Sequence, residues 1–222
     1  MSSKSYRERR DFSRTPEPEG GKHQASERPI FVIQKHDASS LHYDFRLEVD
    51  GVLKSWAVPK GPSTDPRERR LATPTEDHPL EYADFEGVIP EGQYGAGTVL
   101  VWDTGAYDNI TTQDDEPVPA SDALANGHLL VRLHGKKLRG GYVLQRMGKD
   151  EGADWLLIKI ADDAADARRK PTSTAPRSVL SGRTIAQIAK KERASAAIRT
   201  PSRSPGTGMR EMGRASDGKR GA

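Results

Sequence analysis

The chain contains no cysteine, which excludes disulfides and thiolate metal sites and fits a reducing cytoplasm without requiring one. Apolar residues are only 34% and aromatics 6% of the sequence, so part of the chain has no core to join. No apolar run approaches the ~18 residues of a membrane span, and none follows the charged start as a secretory segment would. No membrane association is expected. Helical periodicity is nearly absent as well, which turns attention to strands. The 222 residues allow one domain with tails or two small domains. The net charge of +3 hides an asymmetry: residues 163–222 carry 14 Lys/Arg against 5 Asp/Glu, or +9, which leaves −6 on residues 1–162. A basic tail on a mildly acidic body can hold a polyanion, and it can equally be a solvated linker.

Residues 1–28 are a polar arm without periodicity. From Pro29 the pattern changes. Ile30–Ile33 is a short apolar run, and Leu41–Val49 alternates strictly. Asp50-Gly51 is a strong hairpin signal, so Val52–Val58 should return antiparallel. Further strands are expected at Leu71-Ala72, within Tyr82–Ile89, at Thr98–Trp102 and Ala106–Tyr107, and at Leu129–Leu133, Gly141–Arg146 and Trp155–Ile160. Thr111–Pro119 reads as an acidic loop, and Ser121–Gly127 as a one- or two-turn helix with Ser opening it and Gly closing it. Many short strands with turn signals between them predict an all-β domain over 29–162: a compact β-barrel with short helices, a sandwich being the other architecture the pattern allows. Residues 163–222 read as a disordered, basic, low-complexity tail with a short helix at 184–198, opened by Thr184.

The chemistry concentrates between Lys35 and Glu48. Leu41, Tyr43, Phe45 and Leu47 share one strand face, and His42, Asp44 and Arg46 share the other, each about 7 Å from the next. His36, six residues before His42, can fold back beside it. Two imidazoles and a carboxylate suit Mn, Zn, Fe or Co better than Ca or Mg, and three protein ligands leave positions open for substrate. Arg46 beside them suits an oxyanion, though a plain salt bridge to Asp44 or Glu48 would explain it too. Together these residues predict a metal-dependent phosphoesterase. His78, with Tyr82 four residues on, is a candidate proton donor. The glycine-rich stretch from Gly92 to Gly97 lacks the Gly-Lys-Ser/Thr ending of a phosphate cradle and reads as a structural turn. His23, His128 and His134 have no partner spacing.

Over about Arg10 to Ile160 the sequence resembles the 3′-phosphoesterase domain of bacterial DNA ligase D. The blocks that carry this are Phe31-Val32-Ile33-Gln34-Lys35-His36-Asp37-Ala38, the His36/His42/Asp44/Arg46 array, Trp56-Ala57-Val58-Pro59-Lys60-Gly61-Pro62, Thr75-Glu76-Asp77-His78-Pro79-Leu80-Glu81-Tyr82 and Phe85-Glu86-Gly87-Val88-Ile89-Pro90. The resemblance implies a manganese-using β-barrel enzyme that removes a 3′-terminal ribonucleotide and then the 3′-phosphate, leaving a 3′-OH. It implies His36, His42 and Asp44 as metal ligands, with Arg46 and a protonated His78 at the scissile phosphate and Tyr82 beside them. Lys60 and Arg70 match basic positions near the substrate, and Arg10, Asp11, Glu17 and Gln34 match the N-terminal arm and its packing over the site. Implied partners are DNA or DNA–RNA primer–template 3′ ends, and a separate ligase, polymerase or Ku-type end-joining protein; the chain itself is expected to be a monomer. Two rival readings stand beside this one. His42, Asp44 and a distant His78 have the spacing of a 2-His-1-carboxylate iron oxygenase, and an inert barrel with an active basic tail would be a DNA-binding scaffold.

Overall fold

The computed structural model describes residues 3–21, 28–150 and 152–199. Its core is a closed antiparallel barrel of eight strands. In chain order the strands are β1 (Ile30–Asp37), β2 (Leu41–Val49), β3 (Val52–Val58), β4 (Arg69–Pro74), β5 (Gly87–Ile89), β6 (Gly97–Asn109), β7 (Thr112–Gln113), β8 (Glu116–Pro117), β9 (His128–Gly135), β10 (Arg139–Arg146) and β11 (Trp155–Lys159). The wall runs β1-β2-β3-β4-β11-β10-β9-β6 and closes where β6 pairs with β1. Strand β5 adds to the start of β6 outside the ring, and β7 and β8 form a small hairpin in the expected acidic loop.

The β2–β3 turn has Asp50 and Gly51 at φ 51° and 78°, both left-handed, as a two-residue hairpin matching strand twist requires. The two segments expected at Thr98–Trp102 and Ala106–Tyr107 are one 13-residue strand, β6. Its length lets it serve three neighbours: β5 at its start, β1 through its middle and β9 at its end. At Gly97 (φ 149°) a Cβ would stand 2.4 Å from the Asp37 carbonyl oxygen, so only glycine admits this approach of β6 to β1. β1 continues four residues past the apolar run, to Asp37, because it pairs on both sides.

Two apolar layers flank the wall. Phe31, Ile33, Phe45, Leu47, Trp56 and Trp102 fill the barrel interior. On the outer side, Val32, Leu53, Val99 and Val101 pack against Tyr6, Tyr82, Phe85 and Ile89. Tyr6, only 1% exposed, anchors the N-terminal arm, which enters as α1 (Ser3–Glu8). Burying an aromatic side chain of this kind is worth roughly 1.5–3 kcal/mol. The arm is therefore part of the fold. Helix α2 (Ala120–Ala125) packs on β9, with Pro119 rather than Ser121 at its N-cap.

Residues after 162 do not leave the barrel at once. Tyr43 Oη donates to the Thr172 carbonyl at 3.1 Å, Trp102 Nε1 to that of Ala175 at 2.9 Å, and the Val179 N–H to the Val101 carbonyl at 3.0 Å. The barrel reads this strap mainly through its backbone, which is why an Ala/Ser/Thr/Pro-rich sequence suffices there. The strap includes α3 (Pro171–Thr174) and leads into α4 (Ile185–Arg199), near the helix expected at 184–198, with Ile188 buried against the barrel. The rest of the expected tail, 200–222, lies outside the described residues, as does His23. Among the described residues no helix is long and apolar enough to cross a membrane.

Candidate active site

Strand register builds the site. His36 lies directly across from His42, Gln34 from Asp44, and Asp44 in turn from Ala57 on β3. These positions face outward from the barrel, but not into solvent: His36, Asp44 and Arg46 are buried. The arm, the segment 75–85 and the loop 90–96 lie over them, and together they border an open cavity of about 280 Å³.

His36, His42 and Asp44 form a cluster in which the candidate ligand atoms all lie within 4.8 Å of one another. His36 Nδ1 is 3.6 Å from Asp44 Oδ2, and His42 Nε2 is 3.6 Å from Asp44 Oδ1. Two carbonyls fix the tautomers. His36 Nε2 donates to the Gly95 carbonyl at 2.9 Å, and His42 Nδ1 to that of Ser40 at 2.9 Å. Each ring therefore turns a lone pair inward, as imidazole ligands oriented by an outer hydrogen bond do. Ligands ~2.0–2.2 Å from a tetrahedral metal stand ~3.4 Å apart; the two His–Asp edges are close to that, while the cluster as a whole spans up to 4.8 Å, so its side chains would draw together around a divalent cation. Burial alone would raise the Asp44 carboxyl, but Arg46, with His36 and His42 beside it, holds it well below the usual carboxylate range.

Arg46 is clamped on every side. Nε donates to Gln34 Oε1 at 2.8 Å and Nη1 to Ser55 Oγ at 2.8 Å, while Nη2 lies 3.2 Å from Asp44 Oδ2. Its plane sits over the Tyr82 ring, 5.0 Å from the centroid. The salt bridge to Asp44 is thus real, but it is one contact of several. Gln34 does not line the cavity. Its amide donates to the carbonyls of Tyr82 and Phe85, tying Arg46 to the 3₁₀ turn Leu80–Asp84.

Burial, followed by Arg46 and Arg10, pushes the His78 imidazole well below the ordinary value, which disfavours the protonated form that the family resemblance implies. Nδ1 lies 2.9 Å from Arg46 Nη1 and 2.8 Å from the Glu76 carbonyl, and Nε2 lies 3.5 Å from Arg10 Nη2. Two fixed cations flank the ring and favour its neutral form. Tyr82, buried with its phenol held protonated by desolvation, packs edge-on against His78 at 4.7 Å.

Arg10 reaches the cavity from the arm. It pairs with Glu17 at 2.8 Å and Glu76 at 3.1 Å, and lies 3.8 Å over the Tyr6 ring. Three further expected residues are elsewhere. Asp11 is exposed and closes a turn on Ser13. Lys60 is exposed just beyond β3. Arg70 pairs with Glu68, on the side of β4 shared with the inward-facing Ala72. None of the three lines the cavity. The sequence reading missed Ser55, Glu76, Tyr94 and Gly95. The Gly92–Gly97 stretch, expected to be only a turn, supplies the carbonyl that orients His36 and a ring on the cavity wall.

The fold is a closed barrel that carries a His-His-carboxylate cluster, able to hold a metal ion, beside a clamped guanidinium. Residues 34–146 match the family described as the DNA ligase D 3′-phosphoesterase domain. The chain is 50% identical over 185 residues to the multifunctional non-homologous end joining protein LigD of Pseudomonas aeruginosa, covering 81% of this chain and 21% of that protein. It is 49% identical over 156 residues to the multifunctional non-homologous end joining DNA repair protein LigD of Mycobacterium tuberculosis (70% and 19%). With LigD of Mycolicibacterium smegmatis the identity is 44% over 158 residues (71% and 20%). The chain belongs to the DNA ligase D 3′-phosphoesterase domain family, and it spans about a fifth of the length of these relatives.

Proposed function

We propose that this chain is a manganese-dependent phosphoesterase that heals DNA 3′ ends for non-homologous end joining. It removes 3′-terminal ribonucleotides as a phosphodiesterase and 3′-phosphates as a phosphomonoesterase, leaving a 3′-OH. Its substrates are DNA or DNA–RNA primer–template ends in the cytoplasm, shared with a ligase, polymerase or Ku-type protein. The observation that carries the reading is the meeting of three metal-competent donors with Arg46 in one cavity. Cobalt and zinc suit the same donors.

His36, His42 and Asp44 would hold the metal, and when bound it supplies Lewis-acid polarisation of a phosphoryl oxygen. Arg46 stabilises charge building on the same phosphate. Gln34 and Ser55 fix its guanidinium beforehand, so little reorganisation is needed as the charge develops. His78, its imidazole biased toward the neutral form by burial and by Arg46 and Arg10, is placed to be a hydrogen-bond partner or proton acceptor at the ester. Arg10 brings a second guanidinium, and Glu17 and Glu76 offset its charge. The arm that carries Arg10 also excludes water from the site.

The oxygenase reading requires His42, Asp44 and His78 to converge. His78 lies instead between Arg46 and Arg10, where a third cation would be repelled, and His36 takes its place in the cluster. The deciding experiment is a 5′-labelled primer–template with a single 3′-terminal ribonucleotide, incubated with and without manganese. Stepwise loss of the nucleoside and then the phosphate is expected, and only with metal. An intact primer, or a His42→Ala variant that processes ends normally, sinks the proposal; the second outcome would favour the scaffold.

A further inference from the structure

Asp44, Arg46, Arg10 and Glu76 make one part of the cavity lining charged. A phosphate and its metal suit that part; a nucleobase does not. At the cavity wall the character changes. Tyr94 is 47% exposed, one of few large apolar side chains left open among the described residues. Its ring is not loose. Arg9 Nη1 donates to Tyr94 Oη at 2.8 Å, and Tyr94 Oη donates to Glu76 Oε2 at 3.4 Å. The Arg9 guanidinium lies over the ring, 4.9 Å from its centroid, and the Arg9 side chain is itself 45% exposed. The next residue, Gly95, has φ 74° and gives its carbonyl to His36. Loop, ring and metal cluster are therefore held in one frame.

We infer that Arg9 and Tyr94 form a nucleobase subsite, a stacking platform for the base of the nucleoside next to the reacting phosphate. The inference rests on the 3′-end reading above and names what selects the end. Aromatic rings and guanidinium planes both stack on bases of any sequence. A rigid platform loses little freedom when the base arrives. The arm carries Arg9 and the 90–96 loop carries Tyr94, so the platform exists only when the arm is docked.

The test compares a 3′-terminal ribonucleotide bearing its base with the same end made abasic. Wild type should favour the base-bearing end through a lower KM, by about tenfold on the scale of a single base stack. Tyr94→Leu should bring that preference close to one with kcat moving much less, and Tyr94→Phe should retain it. In parallel, 2-aminopurine at the 3′ terminus, bound without metal, should be quenched by wild type and Tyr94→Phe but not by Tyr94→Leu. A wild type that processes ends with no base preference, or a Tyr94→Leu variant that keeps preference and quenching, overturns the subsite. A wild type that quenches the probe but leaves ends intact overturns the end-healing reading and upholds the subsite.

Discussion

Replacing Arg46 with methionine separates the fold from the site. The guanidinium is 3% exposed and offsets a carboxylate that is itself 5% exposed. Removing one partner of a buried pair leaves the other uncompensated, at about 3–5 kcal/mol. Each kcal/mol lowers Tm by about 2–4 °C in a chain of this size, so the metal-free variant should melt ~6–20 °C below wild type. Added metal then distinguishes this from simple damage. In wild type a cation bound at Asp44 would be repelled by Arg46, 3.2 Å from the same carboxylate. At an effective dielectric of ~20, that repulsion across a few ångströms is worth at least ~1.4 kcal/mol, tenfold in affinity. Arg46→Met should thus bind manganese more tightly than wild type while losing on the order of 10²-fold or more in turnover. Differential scanning fluorimetry in chelator, then across a manganese titration, reads both effects. A manganese-induced rise in Tm smaller than that of wild type would refute the shared-carboxylate geometry.

His36→Ala and His42→Ala should each abolish the manganese-dependent rise in Tm, since either leaves only two protein ligands; calorimetric titration checks this. Gln34→Ala removes the partner of Arg46 Nε and of the Phe85 carbonyl, while the Tyr82 carbonyl keeps the Phe85 N–H. At about 1–3 kcal/mol per orphaned group it should cost ~2 kcal/mol or more, seen as a lower denaturant midpoint with unchanged slope. His78 sets a pH dependence in the metal-free protein. Its folded-state pKa lies well below the ordinary value, so between that value and ~6.5 the unfolded chain binds a proton that the folded chain does not. Stability should therefore rise with pH up to ~6.5 and level off above it. Denaturation from pH 5 to 8 with wild type and His78→Gln checks the sign, the variant giving the flatter profile.

What could be read from the residues alone was whatever two-residue periodicity and turn chemistry control. Leu41–Val49 has one face for the core and one for chemistry, and Asp50-Gly51 fixes the return of β3, so the sequence alone puts Asp44 and Arg46 on the same outward face. The segments over the site are not encoded locally. Glu76 and Tyr94 sit in irregular segments distant in sequence from His36, and the Gly95 carbonyl acts on His36 from 59 residues away as bare backbone. Arg70 shows a subtler limit. In Arg69-Arg70-Leu71-Ala72, hydrophobicity turns Leu71 inward and Arg70 outward, toward the site. The barrel does the reverse: Leu71 is 41% exposed and Ala72 fully buried. Ala72 pairs across the sheet with Trp155, whose ring lies 5.8 Å from that of Trp56. Two indoles fill that part of the interior and leave room for a methyl group only, so the larger apolar residue is turned out and Arg70 is carried to the far side of the wall. Steric volume, set by residues on two other strands, overrides the local pattern here, and it is the kind of term that a single strand's sequence cannot carry.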